Sequence, residues 1–242
     1  MYSFKNYFSK VKTYFRFGNA ERLAVVLSIV ISSIVLWFVF SKVENNVLPL
    51  IEIFNYLLIV SLVVLLQQST QKLFALSIGY TTFYTKTPIA SMISFVFGMF
   101  GLPFIAPGKI IIKDLPRHRI GRFRPGPNED DKAWIAFSGV FALLFTAVIF
   151  YLLSNVARNP EIFKIASNIA LLFAVFNMLP LPSFNGLQIF FGSRYLYLAT
   201  LAFTLIFSSI LYVSGLVLAI LFGALATIAF VLWFFVVVDK SW

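Results

Sequence analysis

The 242-residue chain contains no cysteine, a single histidine and only nine acidic residues. Without cysteine there is no disulfide framework, no thiolate nucleophile and no cysteine metal site. With one histidine, a multi-histidine metal centre is excluded as well. Charge is scarce: 12% of residues are Asp, Glu, Lys or Arg, against roughly 25% in ordinary globular domains. Such a chain cannot coat a soluble surface. What is abundant is apolar, at 60% of residues, with 30 phenylalanines. The composition is that of an integral membrane protein and excludes a disordered chain, a disulfide-stapled secreted domain and a nucleic-acid-binding protein.

The apolar residues fall into runs at Leu23–Phe40, Val47–Leu66, Pro88–Pro107, Ala133–Leu153, Phe163–Leu181 and Tyr195–Val238. Most approach the roughly 17–25 residues needed to cross about 30 Å of hydrocarbon. The last is too long for one crossing. Gly215 near its middle divides it into about Tyr195–Val213 and Leu216–Val238. Pro88–Pro107 is ambiguous because it holds two glycines and a central Pro103. The distribution of the formal net charge of +10 decides it. If this run does not cross, every Lys and Arg except Lys42, Arg158 and Lys164 lies on one side. If it crosses, the basic residues of Lys109–Lys132 move to the wrong side. The positive-inside rule therefore favours six spanning helices with both termini cytoplasmic, and a re-entrant or interfacial Pro88–Pro107. The expected fold is an all-α polytopic protein of the cell membrane.

Residues 1–22 form a basic segment ahead of a single membrane domain, 23–242. Phe4, Phe8, Val11 and Phe15 recur at helical spacing among Lys5, Lys10, Lys12 and Arg16. This reads as an amphipathic helix on an anionic leaflet. The apolar run begins only at Leu23 and no small-residue cleavage site follows, unlike a cleavable signal peptide. Residues 109–132 form a cytoplasmic basic loop, with a short strand at Lys109–Lys113. His118, between Arg117 and Arg119, reads as an exposed loop histidine. Tyr80, Tyr84, Tyr195, Tyr197, Trp134 and Trp242 fit interfacial belts.

Polar residues at membrane depth are costly and usually functional. One cluster is Gln67, Gln68, Ser69, Thr70 and Gln71, with Gln67 and Gln71 on one helix face. The other is Asn177, Pro180, Pro182, Asn185 and Gly186, where two prolines interrupt helical bonding. Non-helical backbone at this depth must be buried in protein or line a cavity. Both clusters lie towards the cytoplasmic ends of their helices, so they can meet.

These clusters resemble those of the site-2 protease family of intramembrane zinc metalloproteases, in its compact prokaryotic and archaeal form. That family carries H-E-x-x-H on one helix and N-x-x-P-x-P-x-x-D-G on another. Asn177, Pro180, Pro182 and Gly186 match the second pattern in spacing, with Asn185 at the aspartate position. Lys72-Leu73-Phe74-Ala75, Gly79-Tyr80 and Ala106-Pro107-Gly108 also resemble the family, and the likeness covers about 49–212. It implies a peptide-binding role for Asn177, Pro180, Pro182 and Gly186. It also implies a zinc cofactor bound by two histidines and the aspartate, with the glutamate activating water. Here those positions are Gln67, Gln71 and Asn185, and Gln68. Amides are poor zinc ligands, and Gln68 cannot act as a general base near neutral pH. The only carboxylate in the expected spans is Glu52. No metal and no cofactor are expected, and Gln67, Gln68, Gln71 and Asn185 are vestigial. The family's A-G-P-x-x-N on the third helix is Ser138-Gly139-Val140-Phe141-Ala142-Leu143 here, which favours natural divergence over an engineered knockout.

The leading expectation is a non-catalytic pseudoprotease that binds transmembrane or extended peptide segments, or serves as a subunit of a membrane complex. The expected partners are membrane lipids and a transmembrane client protein, and no nucleic acid. The alternative is an intramembrane zinc metalloprotease, active or engineered to be inactive. A third reading is a small transporter or lipid-binding protein; it would need a continuous polar path, and the outer halves of the helices are nearly all apolar, which disfavours a conduit.

Overall fold

The computed structural model describes residues 4–40, 49–105, 108–115 and 127–237. Its elements run α1 (Phe4–Tyr14), α2 (Asn19–Phe40), α3 (Pro49–Ile78), β1 (Tyr80–Thr85), α4 (Pro88–Met99), β2 (Lys109–Asp114), α5 (Glu129–Val156), α6 (Pro160–Asn177), α7 (Asn185–Gly192), α8 (Arg194–Ser214) and α9 (Leu216–Val237). Six of them, α2, α3, α5, α6, α8 and α9, are long and apolar enough to cross a membrane. The protein is a multi-pass, predominantly helical membrane protein.

The helix ends have local causes. Acidic residues Glu129, Asp130 and Asp131 open α5, where carboxylates complement the helix dipole. Pro160 starts α6, and Pro180 and Pro182 keep it from continuing to Leu181; it stops at Asn177. Gly215, with φ +87°, breaks the long C-terminal run into α8 and α9. The polar cluster after Leu66 does not end its helix. α3 runs through the glutamines to Ile78, and at 30 residues it is about 45 Å long. Gly79, at φ +105°, then turns the chain into β1.

α5 is the hub. Its small residues Ala133, Ala136, Gly139 and Ala147 allow α3, α6 and α7 to approach closely. Val60 and Val63, Leu143, and Ala170, Phe173 and Ala174 fill the space between α3, α5 and α6. α9 buries little besides Ala219 and Gly223, and its remaining surface is apolar. In water such a surface would be an aggregation hazard; in a bilayer it faces acyl chains.

β1 and β2 form a two-stranded antiparallel sheet, with Tyr80 opposite Asp114 and Thr85 opposite Lys109. β2 matches the expected short strand; β1 was not expected. The pairing sets Thr85 opposite Lys109, so the chain leaves β1 and re-enters β2 at the same end of one sheet, with no net crossing between them. α4 itself has 12 residues, about 18 Å, too short to cross. It packs along α2, where Gly98 lies against Val35.

Three expectations are corrected. The N-terminal helix, read from Phe4, Phe8, Val11 and Phe15, ends at Tyr14, before Phe15. Phe8 is exposed, and the Tyr7 side docks on α3 through a hydroxyl bond to Leu73 O (3.3 Å). Tyr80, Tyr84 and Tyr197 are buried, unlike Trp134 and Tyr195. The Tyr80 hydroxyl donates to Asp131 and that of Tyr84 to Ser28, each at 2.7 Å, so both are internal ties between elements. Glu52 is not the sole carboxylate of the long helices, because Glu21 lies buried in α2. His118, Arg117, Arg119, Ala106, Pro107 and Trp242 lie outside the described residues.

Candidate functional site

α3 and α6 bring the two polar clusters together. Gln67 Nε2 donates to Asn177 Oδ1 at 3.2 Å. Asn185, the first residue of α7, donates its Nδ2 to the same oxygen at 3.2 Å. Asn177 Nδ2 donates to Phe173 O one turn back at 2.8 Å, which fixes the amide's orientation. Asn177 is thus the junction of three elements. Gln67, Gln71, Asn177 and Asn185 are all buried, and so is Gln68.

Gln71 differs from the others. It is wholly buried, yet neither Nε2 nor Oε1 has a hydrogen-bond partner among the described residues; Gln67 Oε1 is also unpaired. Gly139 of α5 makes room for it. A Cβ at residue 139 would lie 2.0 Å from Gln71 Nε2 and 2.8 Å from its Cγ. The polar surface at the centre of the bundle therefore has unused donor and acceptor capacity, held against a glycine.

Gly186 has an equally direct role. A Cβ there would lie 2.3 Å from Met178 O and 2.7 Å from Leu179 O. The start of α7 sits on the backbone that leaves α6, and only glycine permits that approach. Between them, residues 178–184 are unwound. Pro180 and Pro182 supply no N–H, and Ser183 holds φ +88°, a left-handed conformation rare for a side-chain-bearing residue. Strain of this kind concentrates at functional segments. Pro180 and Pro182 therefore shape a strained bridge, and Asn185 and Gly186 anchor its far end.

The sheet faces this bridge. Tyr84 N donates to Glu21 Oε1 at 3.1 Å, and Gln188 Nε2 donates to Ile110 O at 3.2 Å. Tyr84 and Ile110 are register partners, and both direct backbone groups away from the sheet. Outward pairs alternate along an antiparallel ladder, so Thr82 and Ile112 also face outward. Glu21 closes the β1 edge at Tyr84. The β2 edge opens on a groove of about 480 Å³, walled by Pro182, Ser183, Phe184, Leu187 and Gln188. Apart from the Gln188 bond, the outward groups of Ile110 and Ile112 find no partner among the described residues.

Sequence reasoning missed the strongest electrostatic feature nearby. Lys72 Nζ bonds Glu21 Oε1 and Oε2 at 2.9 and 2.8 Å and Arg16 O at 2.9 Å, and stands 4.1 Å from the Phe17 ring centre. Both charged side chains are at most 5% exposed. The pair ties the α1–α2 link, α3 and β1 together. The available signal was Lys72 itself, an uncapped cation directly after the glutamines in a helix that continues. On the hairpin, burial pushes the Tyr84 hydroxyl above its ordinary pKa, although bonds to Ser28 and Gly108 act the other way. It stays a neutral donor to Ser28 and acceptor from Gly108 N.

Comparison with known protein families, characterised proteins and solved structures finds no match.

Proposed function

We propose that this protein is a non-catalytic relative of the site-2 proteases that holds an extended or transmembrane peptide segment, with both its own termini cytoplasmic. The observation that carries the reading is the open β2 edge beside the strained 178–184 bridge. A segment laid in that groove would pair its backbone with Ile110 and Ile112, gaining affinity without demanding a particular sequence. An unpaired sheet edge is a row of donors and acceptors ready for another chain, so a guest strand that covers it gains main-chain bonds. The amide cluster of Gln67, Asn177 and Asn185 supports the same reading, because it ties the bridge to α3 just behind the groove. Asn177, Pro180, Pro182 and Gly186 shape the guest's seat without performing chemistry.

A zinc ion does not fit the cluster. The converging groups are neutral amides, whereas protein zinc is held by imidazole, thiolate or carboxylate. Among the described residues no three His, Cys, Asp or Glu side chains come together. Gln68 is buried and has no proton to exchange near neutral pH, so no hydrolytic step is assigned to this site.

The test is photo-crosslinking from Leu187, on the groove wall, in intact membranes. Crosslinks should map to transmembrane or juxtamembrane segments of other proteins. Ile112→Pro, which removes an outward N–H, should abolish them while leaving the fold intact, since proline is tolerated on an edge. Ile112→Val should keep them. Undiminished crosslinking in Ile112→Pro would refute strand pairing.

A further inference from the structure

α4 has an apolar trough on each side. The first, about 400 Å³, lies between α4 and α2 and is walled by Leu27, Ile31, Met92, Phe95 and Val96. The second, about 440 Å³, lies between α4 and the 178–184 bridge and is walled by Ile89, Ile93, Phe104, Leu181 and Phe184. Each is in the size range of a small apolar ligand site. The two troughs share Lys86 and Pro88, so they converge at the start of α4.

That junction is cationic. Lys86 is exposed and makes no ion pair among the described residues. Lys109, opposite Thr85, is exposed as well, but it lines the β2-edge groove and neither trough, so Lys86 alone supplies the charge at the junction. The shape and charge together call for a ligand with one anionic head and two apolar tails. We infer that one anionic diacyl phospholipid straddles α4, its phosphate at Lys86 and one acyl chain in each trough.

The region between head and tails also has a suitable group. The Thr87 hydroxyl is buried, lines the second trough and has no hydrogen-bond partner among the described residues. Thr87 occupies the N-cap position of α4, yet its side chain makes no capping bond. Its donor is free for a glycerol ester carbonyl. A single-chain amphiphile fills only one trough, and a zwitterionic head brings another cation to a site that is already cationic. The site thus differs from the general lipid-facing surface in both charge and chain number. This inference does not rest on the peptide-binding reading.

Native mass spectrometry of the full chain, released from nanodiscs of stated composition, tests it. Phosphatidylglycerol should be retained in preference to phosphatidylcholine and to lysophosphatidylglycerol. Lys86→Gln should reduce the preference for the anionic head by about fivefold, the effect of one lysine at a membrane surface. Ser91→Phe, filling the first trough, and Ala90→Phe, filling the second, should each abolish the preference for two chains over one. Equal retention of the anionic and zwitterionic lipids by the unmodified chain overturns the inference. So does an unchanged preference in Lys86→Gln, or release as a dimer or peptide complex without bound lipid.

Discussion

Removing the charge of Glu21 strands a cation in the protein interior. In Glu21→Gln the Lys72 ammonium keeps Arg16 O, the Phe17 ring and one neutral carbonyl oxygen at the Oε1 position, but loses its countercharge and the 2.8 Å bond to Oε2. Breaking one partner of a buried pair costs about 3–5 kcal/mol. For a chain of this size that corresponds to a fall in Tm of roughly 6–20 °C. Glutamine still accepts from Tyr84 N, so the loss is assigned to charge and not to the edge of β1. Adding Lys72→Met removes the stranded charge and keeps the aliphatic stem. The double variant then lacks only the donor to Arg16 O, a loss of about 1–3 kcal/mol. It should be more stable than Glu21→Gln alone. Thermal unfolding of the four proteins in one detergent gives the coupling directly. If the two substitutions simply add, the pair is not an interacting unit and the reasoning fails.

Gly186→Ala should destabilise the protein more than Gly139→Ala, because its Cβ meets the Met178 carbonyl whereas that of residue 139 meets a side chain that can rotate away; adding Gln71→Ala should rescue only the latter, as read by Tm. Asn177→Leu removes the acceptor shared by Gln67 and Asn185. At about 0.6 kcal/mol per intramembrane bond it should cost only about 1–2 kcal/mol, but should loosen the 178–184 bridge, seen as faster proteolysis there. The triple substitution Gln67→His, Gln71→His, Asn185→Asp should give stoichiometric zinc on purification. Metal content no higher than that of the unmodified chain would count against site-2-protease-like geometry.

The long helices were legible because a hydrophobic run measures itself against a bilayer, and Gly215 announced its own break. The meeting of Gln67 with Asn177 was legible from helix order and depth. The continuation of α3 past the glutamines was legible in the helix-compatible run from Lys72, which Gly79 closes. β1 was hidden because Tyr80–Thr85 reads as an interfacial tail; its threonines and aromatics were the signal, but a strand needs a partner, and β2 lies beyond α4. The Lys72–Glu21 pair was not legible because nothing local links positions so far apart. Tyr80 and Tyr84, two of the tyrosines assigned to an interfacial belt, face inward because their strand is folded against α2 and α3 and tied to α5 through Asp131, a tertiary fact.

The sheet's two edges explain why a costly ion pair stands beside an uncharged site. A two-stranded sheet has two open sides, each a row of backbone donors and acceptors unless something covers it. On β1, Glu21 takes the Tyr84 N–H, and Lys72 balances the carboxylate that does so. That edge is closed by a group anchored in α2 and neutralised from α3, so a guest would have to displace a charge to enter. On β2 the cover is one neutral amide, Gln188, on one carbonyl. Displacing it costs a single neutral hydrogen bond, about 1 kcal/mol, and a guest strand replaces that bond with several. In the proposed peptide-holding role, the energetic difference between a charged and an uncharged cap would direct pairing to the face that adjoins the 178–184 bridge.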